Sequence, residues 1–71
     1  MPSTVIRSHT YDAEREELSI LFATGRRYVY FRVPPEAYQA FRAAFSKGRH
    51  FNARIRDRYA FEERPAAAAE G

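Results

Sequence analysis

The chain has no cysteine and no tryptophan among its 71 residues. Without cysteine there is no disulfide framework, no thiolate metal site and no thiol nucleophile. No apolar run approaches the roughly 18 residues of a membrane span. The opening Met1-Pro2-Ser3-Thr4-Val5-Ile6-Arg7 lacks a signal-peptide core, so the expectation is a cytoplasmic protein with no membrane partner. Histidine is scarce too: His9 and His50 form no HExxH pattern and no pair at helical spacing, so neither metal nor cofactor is expected. Ser46, His50 and Asp57 are triad residue types without a nucleophile elbow or an oxyanion hole. The reading is non-enzymatic.

What is present suffices for one core. Hydrophobic residues make up 45% and aromatics 15%, with six Phe and five Tyr, which argues against disorder. A chain this short buries only about 60% of its unfolded surface, so it holds a single domain. The net charge of +3 is unevenly spread. Residues 1–41 balance five Arg against five acids, whereas residues 42–58 set Arg42, Lys47, Arg49, Arg54, Arg56 and Arg58 against Asp57 alone. Eleven of the twelve basic residues are arginine, the side chain suited to bidentate phosphate contact and stacking. Such a segment points to an acidic partner.

Period-two patterning dominates the first half. Val5 to Tyr11 is a plausible strand, and the polar run Asp12–Glu17 reverses the chain. Leu18, Ile20 and Phe22 then alternate with Ser19, Leu21 and Ala23, as in a strand with one apolar face. Gly25 provides the positive φ of a tight hairpin. In the third strand, residues 27–33, Val29, Phe31 and Val33 share one face and Tyr28, Tyr30 and Arg32 the other; the aliphatic set is expected in the core, with the tyrosines half exposed.

Pro34-Pro35 ends the strands and opens a helix, with Ala37, Tyr38, Phe41, Ala44 and Phe45 on its inner stripe. Ser46-Lys47-Gly48 closes that helix, Gly48 suiting a left-handed cap; the same run also reads as an anion-binding turn, although it is no G-x-x-x-x-G-K-[ST] loop. A second helix is expected from Arg49 or His50 to Tyr59, with Phe51, Ile55 and Tyr59 inward. Arg58 is expected to lay its stem along the core and pair with an acid. The predicted architecture is α+β: a three-stranded antiparallel meander followed by two helices packed on one face (β-β-β-α-α). Its domain spans residues 1–61, and residues 62–71 are expected to form a disordered tail.

The segments Tyr11-Asp12, Leu18 to Phe22, Gly25, Tyr28-Val29-Tyr30, Val33-Pro34, Ser46-Lys47-Gly48, Phe51-Asn52 and Ile55-Arg56-Asp57-Arg58-Tyr59 together resemble the KTSC domain. That domain occurs at the C-terminus of some lysyl-tRNA synthetases and as a stand-alone small bacterial protein. The resemblance runs from about residue 4 to residue 61 and implies RNA as a partner, by the attachment to a tRNA-charging enzyme. Phe45 and His50 depart from the pattern, which usually has proline and an aromatic there.

Two function classes remain open at this level. One is RNA contact, tRNA included, through Lys47, Arg49, Asn52, Arg54 and Arg56, with Tyr28 and Tyr30 as base-stacking platforms. For these residues the plainer reading is a solvated helix face paired to Glu14, Glu16 and Glu17, with tyrosine rings that cover a core edge. The other class is a protein-interaction module that docks a partner protein through the tyrosine-bearing sheet face or a strand edge.

Overall fold

Two short turns build the meander. The computed structural model describes residues 5–65 and pairs β1 (Ile6–Asp12) antiparallel with β2 (Glu17–Phe22). Between them the Asp12 carboxylate accepts from the backbone N–H groups of Glu14 (3.0 Å) and Arg15 (3.2 Å), the turn that an aspartate at this position favours. Gly25, at φ +95°, makes the second reversal. β3 (Arg26–Tyr30) then runs back along β2, with Leu18 opposite Tyr30 and Ile20 opposite Tyr28.

A further strand follows the helices. β4 (Phe61–Pro65) pairs antiparallel with β3, Tyr30 opposite Phe61 and Tyr28 opposite Glu63. The α+β class holds, but the expected three-stranded meander is a four-stranded sheet of order β1-β2-β3-β4. The expected tail therefore begins as an edge strand, and its residues 66–71 lie outside the described residues. Phe61 followed by Glu62-Glu63-Arg64 carries no period-two signal. β4 is held by its ladder to β3 and by Phe61, whose ring packs on Tyr28 and Tyr30.

The two helices cover one face of this sheet. α1 (Pro35–Ala43) begins on proline with Glu36 in its first turn, both favourable at a helix start. It ends sooner than expected: Ala44 is extended (φ −65°, ψ 139°), which removes Phe45 from the inner stripe and leaves it fully exposed. α2 (Lys47–Arg54) starts at once, its first turn capped by Ser46, whose Oγ accepts from the Arg49 N–H at 3.4 Å. Ser46-Lys47-Gly48 is thus a helix start and not a helix stop. Gly48 sits inside α2, and Gly25 is the one glycine at positive φ among the described residues. α2 also ends at Arg54, short of the expected Tyr59.

The core joins Leu18, Ile20, Tyr30, Val33, Phe41, Phe51 and Ile55. Tyrosine, and not the Val29 set, faces the helices: Tyr30 is 3% exposed, while Val29 is buried on the other face between Ser19 and Glu62. Strict alternation would put Val33 with Val29. Arg32, at φ +59°, breaks the extended chain and turns Val33 into the core. The Tyr11 hydroxyl donates to the Val33 carbonyl, and the Val33 N–H donates to the Glu16 carbonyl at 2.8 Å, which ties this crossing to the first turn. Phe41 is fully buried at the centre. Phe41→Ala should cost about 3–5 kcal/mol, most of the stability of a small domain. Denaturant melts check this, and a loss under about 1 kcal/mol would contradict the packing.

Candidate nucleic-acid interface

The basic segment follows the second helix and the turn after it. Arg49, Asn52 and Arg54 are exposed on α2, Arg56 and Arg58 are exposed just beyond it, and Lys47 is half-buried in its first turn. Among the described residues the ion pairs are Arg15–Asp12, Arg26–Glu63 and Arg64–Glu62. None involves residues 42–58, so the pairing of this segment with Glu14, Glu16 and Glu17 does not occur. Arg58 also has no ion pair among the described residues, and it lines a shallow groove with Arg54, His50 and Tyr59. The first turn of α2 carries no acid; Lys47 and Arg49 instead add positive charge where the helix dipole is already positive.

The two histidines register this potential. The His9 ring lies edge-on to Phe41 (5.1 Å between centroids), with its Nδ1 3.3 Å from the Tyr38 hydroxyl. Burial, then Lys47 and Arg42, hold its pKa below the usual 6.5. His50, near Phe41 on the other side (6.0 Å), is lowered by burial and then by Arg54.

Tyr30 does not offer the free ring expected of a stacking platform, and Tyr28 offers only part of one. Tyr30 lies edge-on to Phe51 (5.3 Å) and is covered by Phe61 (5.3 Å). Burial pushes its phenol up to about 12, and the Tyr28 hydroxyl adds to the rise. Tyr28 is half-buried, packed on Phe22 and Phe61 (5.5 Å each). The sheet face away from the helices instead carries Thr10, Ser19, Leu21, Arg27 and Val29. Even so, Tyr28, Tyr30 and Arg56 meet at one place, a groove of about 720 Å³ beside β3 and β4. Lys47, Arg49 and Arg54 do not line it.

The profile of the KTSC domain matches residues 2–59. The chain belongs to the KTSC domain family. It is 46% identical over 52 residues, 73% of either chain, to a protein of Stutzerimonas stutzeri, so the family includes stand-alone small chains. It is 38% identical over 60 residues to a lysine–tRNA ligase of Nostoc punctiforme, matching 84% of this chain and spanning 11% of the ligase. The crystal structure of a KTSC domain protein from Yersinia pestis has a TM-score of 0.82 and 34% identity, with 90% of each chain covered.

Sequence reasoning missed two residues of this KTSC domain's surface, Phe61 and Phe45. Phe61 fell at the last residue of the expected domain, where no strand was expected. Phe45 fell on a helical stripe that ends two residues earlier, and the serine at 46, a strong N-cap type, was the available signal. Among the described residues no helix is long and apolar enough to cross a membrane.

The shifted groups set a pH response. Tyr30 keeps its proton to about pH 12, whereas an unfolded tyrosine releases it near 10. Between those values the unfolded chain binds fewer protons, so stability present below pH 10 is lost as pH rises through 12, by about 3 kcal/mol. The histidines act at the other end. The unfolded chain takes up their protons first, so stability falls as pH drops below 6.5. Melts across both ranges, with histidine titration by NMR, should show these losses; a histidine titrating above 6.5 would contradict the geometry.

Proposed function

We propose that this KTSC domain is a non-enzymatic RNA-binding module whose contact surface is the basic stretch Arg42–Arg58. The observation that carries the reading is the absence of ion pairs on these six cations among the described residues, including two at the positive end of α2. Like charge at a helix start costs about 0.3–1 kcal/mol per group, and nothing described in the fold offsets it. Phosphates would. Lys47, Arg49, Arg54 and Arg56 are the phosphate contacts, and Asn52 shares the exposed side of α2 as a hydrogen-bonding group.

The similarity to part of a lysine–tRNA ligase supports RNA, tRNA included, as the polyanion. For docking of a protein by the tyrosine-bearing face, α1 and α2 pack over Tyr30 and leave the corner at Tyr28 and Phe61. A strand edge, β1 or β4, is the other surface for that reading.

The test is charge reversal. Arg49→Glu, Arg54→Glu and Arg56→Glu together should abolish RNA binding at low salt and leave the melting temperature close to the parent's, because exposed substitutions change stability by only about 0.5 kcal/mol each. Fluorescence anisotropy with labelled single-stranded RNA, duplex RNA and tRNA reads the outcome. Unchanged affinity in the folded triple variant would move the surface to Arg26, Arg27 and Arg32.

A further inference from the structure

α2 is too short to cover the whole sheet. It ends at Arg54, and one corner of the helix-side face stays open, lined by Val5, Phe22, Tyr28, Tyr30 and Phe61. Phe61 and Val5 are 52% and 54% exposed, a large apolar exposure for a chain of this size. Its charged lining is Arg26, Arg56 and Asp57. The groove measures about 720 Å³, within the usual range for a small-molecule site of roughly 300–1,000 Å³.

Its charge differs from that of the neighbouring basic surface. Arg26 is held by Glu63 at 3.3 Å, and Asp57 lines the groove as well as Arg56, so the groove carries less net positive charge than the segment leading to it. A phosphate gains more on the open cations than here. A flat ring with hydrogen-bonding edges matches what the groove holds: aromatic faces for stacking, a guanidinium as donor and a carboxylate as acceptor.

We propose that this groove seats one unpaired nucleobase against Phe61 and Tyr28, while the adjoining phosphates lie on the cations that begin at Arg56. The proposal rests on the RNA reading and adds the strand class: unpaired nucleotides, because a base inside a duplex cannot reach the ring faces. Arg56 is the junction, being both a member of the basic stretch and part of the groove's lining.

The experiment titrates the full chain with three probes: a single-stranded oligoribonucleotide carrying one 2-aminopurine, a duplex of matched length, and adenosine monophosphate beside inorganic phosphate. With the parent, the 2-aminopurine emission should be quenched and the Val5 methyl and Tyr28 ring signals should shift. Phe61→Ala should weaken single-strand binding by roughly 5- to 150-fold, the value of one stacked base, and change duplex binding by less than about twofold. Val5→Glu, a substitution at an exposed position of the lining, should act in the same direction if Phe61→Ala proves too unstable. Shifts with adenosine monophosphate but not with phosphate would identify a free nucleotide as a sufficient ligand; shifts with the oligonucleotide alone would identify the strand.

Single-strand affinity unchanged in both variants would overturn the groove and leave the basic surface standing. No RNA binding by the parent would overturn both. A parent that sediments as a dimer, with its β4 amides protected and its groove signals indifferent to nucleotide, would assign the corner to a second copy of the chain and sink the proposal.

Discussion

The burial of Tyr30 sets what every other part of this domain can do. β3 has neighbours on both sides, and its helix-side residues must pack under α1 and α2. Tyr30 meets Phe51 from α2 above it and Phe61 from β4 beside it, so one side chain connects three elements. A phenol can occupy that place because its ring supplies buried area and its hydroxyl lies toward the Arg56–Asp57 turn, whose charges act on it. Consumption of the tyrosine face by the core removes the broad sheet platform on which single-stranded RNA is commonly stacked. The surface left on this side is that of the helices and of the corner they leave open.

The helical side is where uncompensated charge collects. The acids lie at the β1–β2 turn, on β4 and at the start of α1, while the cations from Arg42 to Arg58 have Asp57 alone among them. A fold seeking stability alone would exchange Lys47 or Arg49 for an acid in the first turn of α2. The lowered pKa values of His9 and His50 reflect the same surplus: beyond burial, it is Arg42, Lys47 and Arg54 that disfavour their protonation. Like charges gathered on one surface are electrostatically costly in isolation.

Much of this was legible in the sequence, for reasons that can be named. Leu18, Ile20 and Phe22 alternate cleanly, and Asp12–Glu17 and Gly25 announce their turns, so the first three strands were readable. Phe41, Phe51 and Ile55 keep helical spacing and are buried as expected. The inner face of β3 was not readable, because Tyr28/Tyr30 and Val29/Val33 are both plausible core sets; the positive φ at Arg32 then lets one residue of the second set join the first. β4 was invisible because its pairing satisfies β3 more than it buries apolar residues of its own. The split between the helices was misplaced for a single cause: Ser46 was read as an ending when its hydroxyl caps a beginning. The basic candidates Arg49, Asn52, Arg54 and Arg56 are exposed as the charge pattern implied, whereas no one-dimensional pattern could have brought Phe61 to Tyr28.

The central claim is that unpaired cations on the helical side are met by phosphates, and the salt dependence of RNA affinity for the unmodified domain tests it most directly. Contact with about three to five phosphates predicts a straight log–log plot of binding constant against salt with a slope of roughly −2 to −4. A flat plot, or no binding at micromolar concentrations in low salt, would contradict the account.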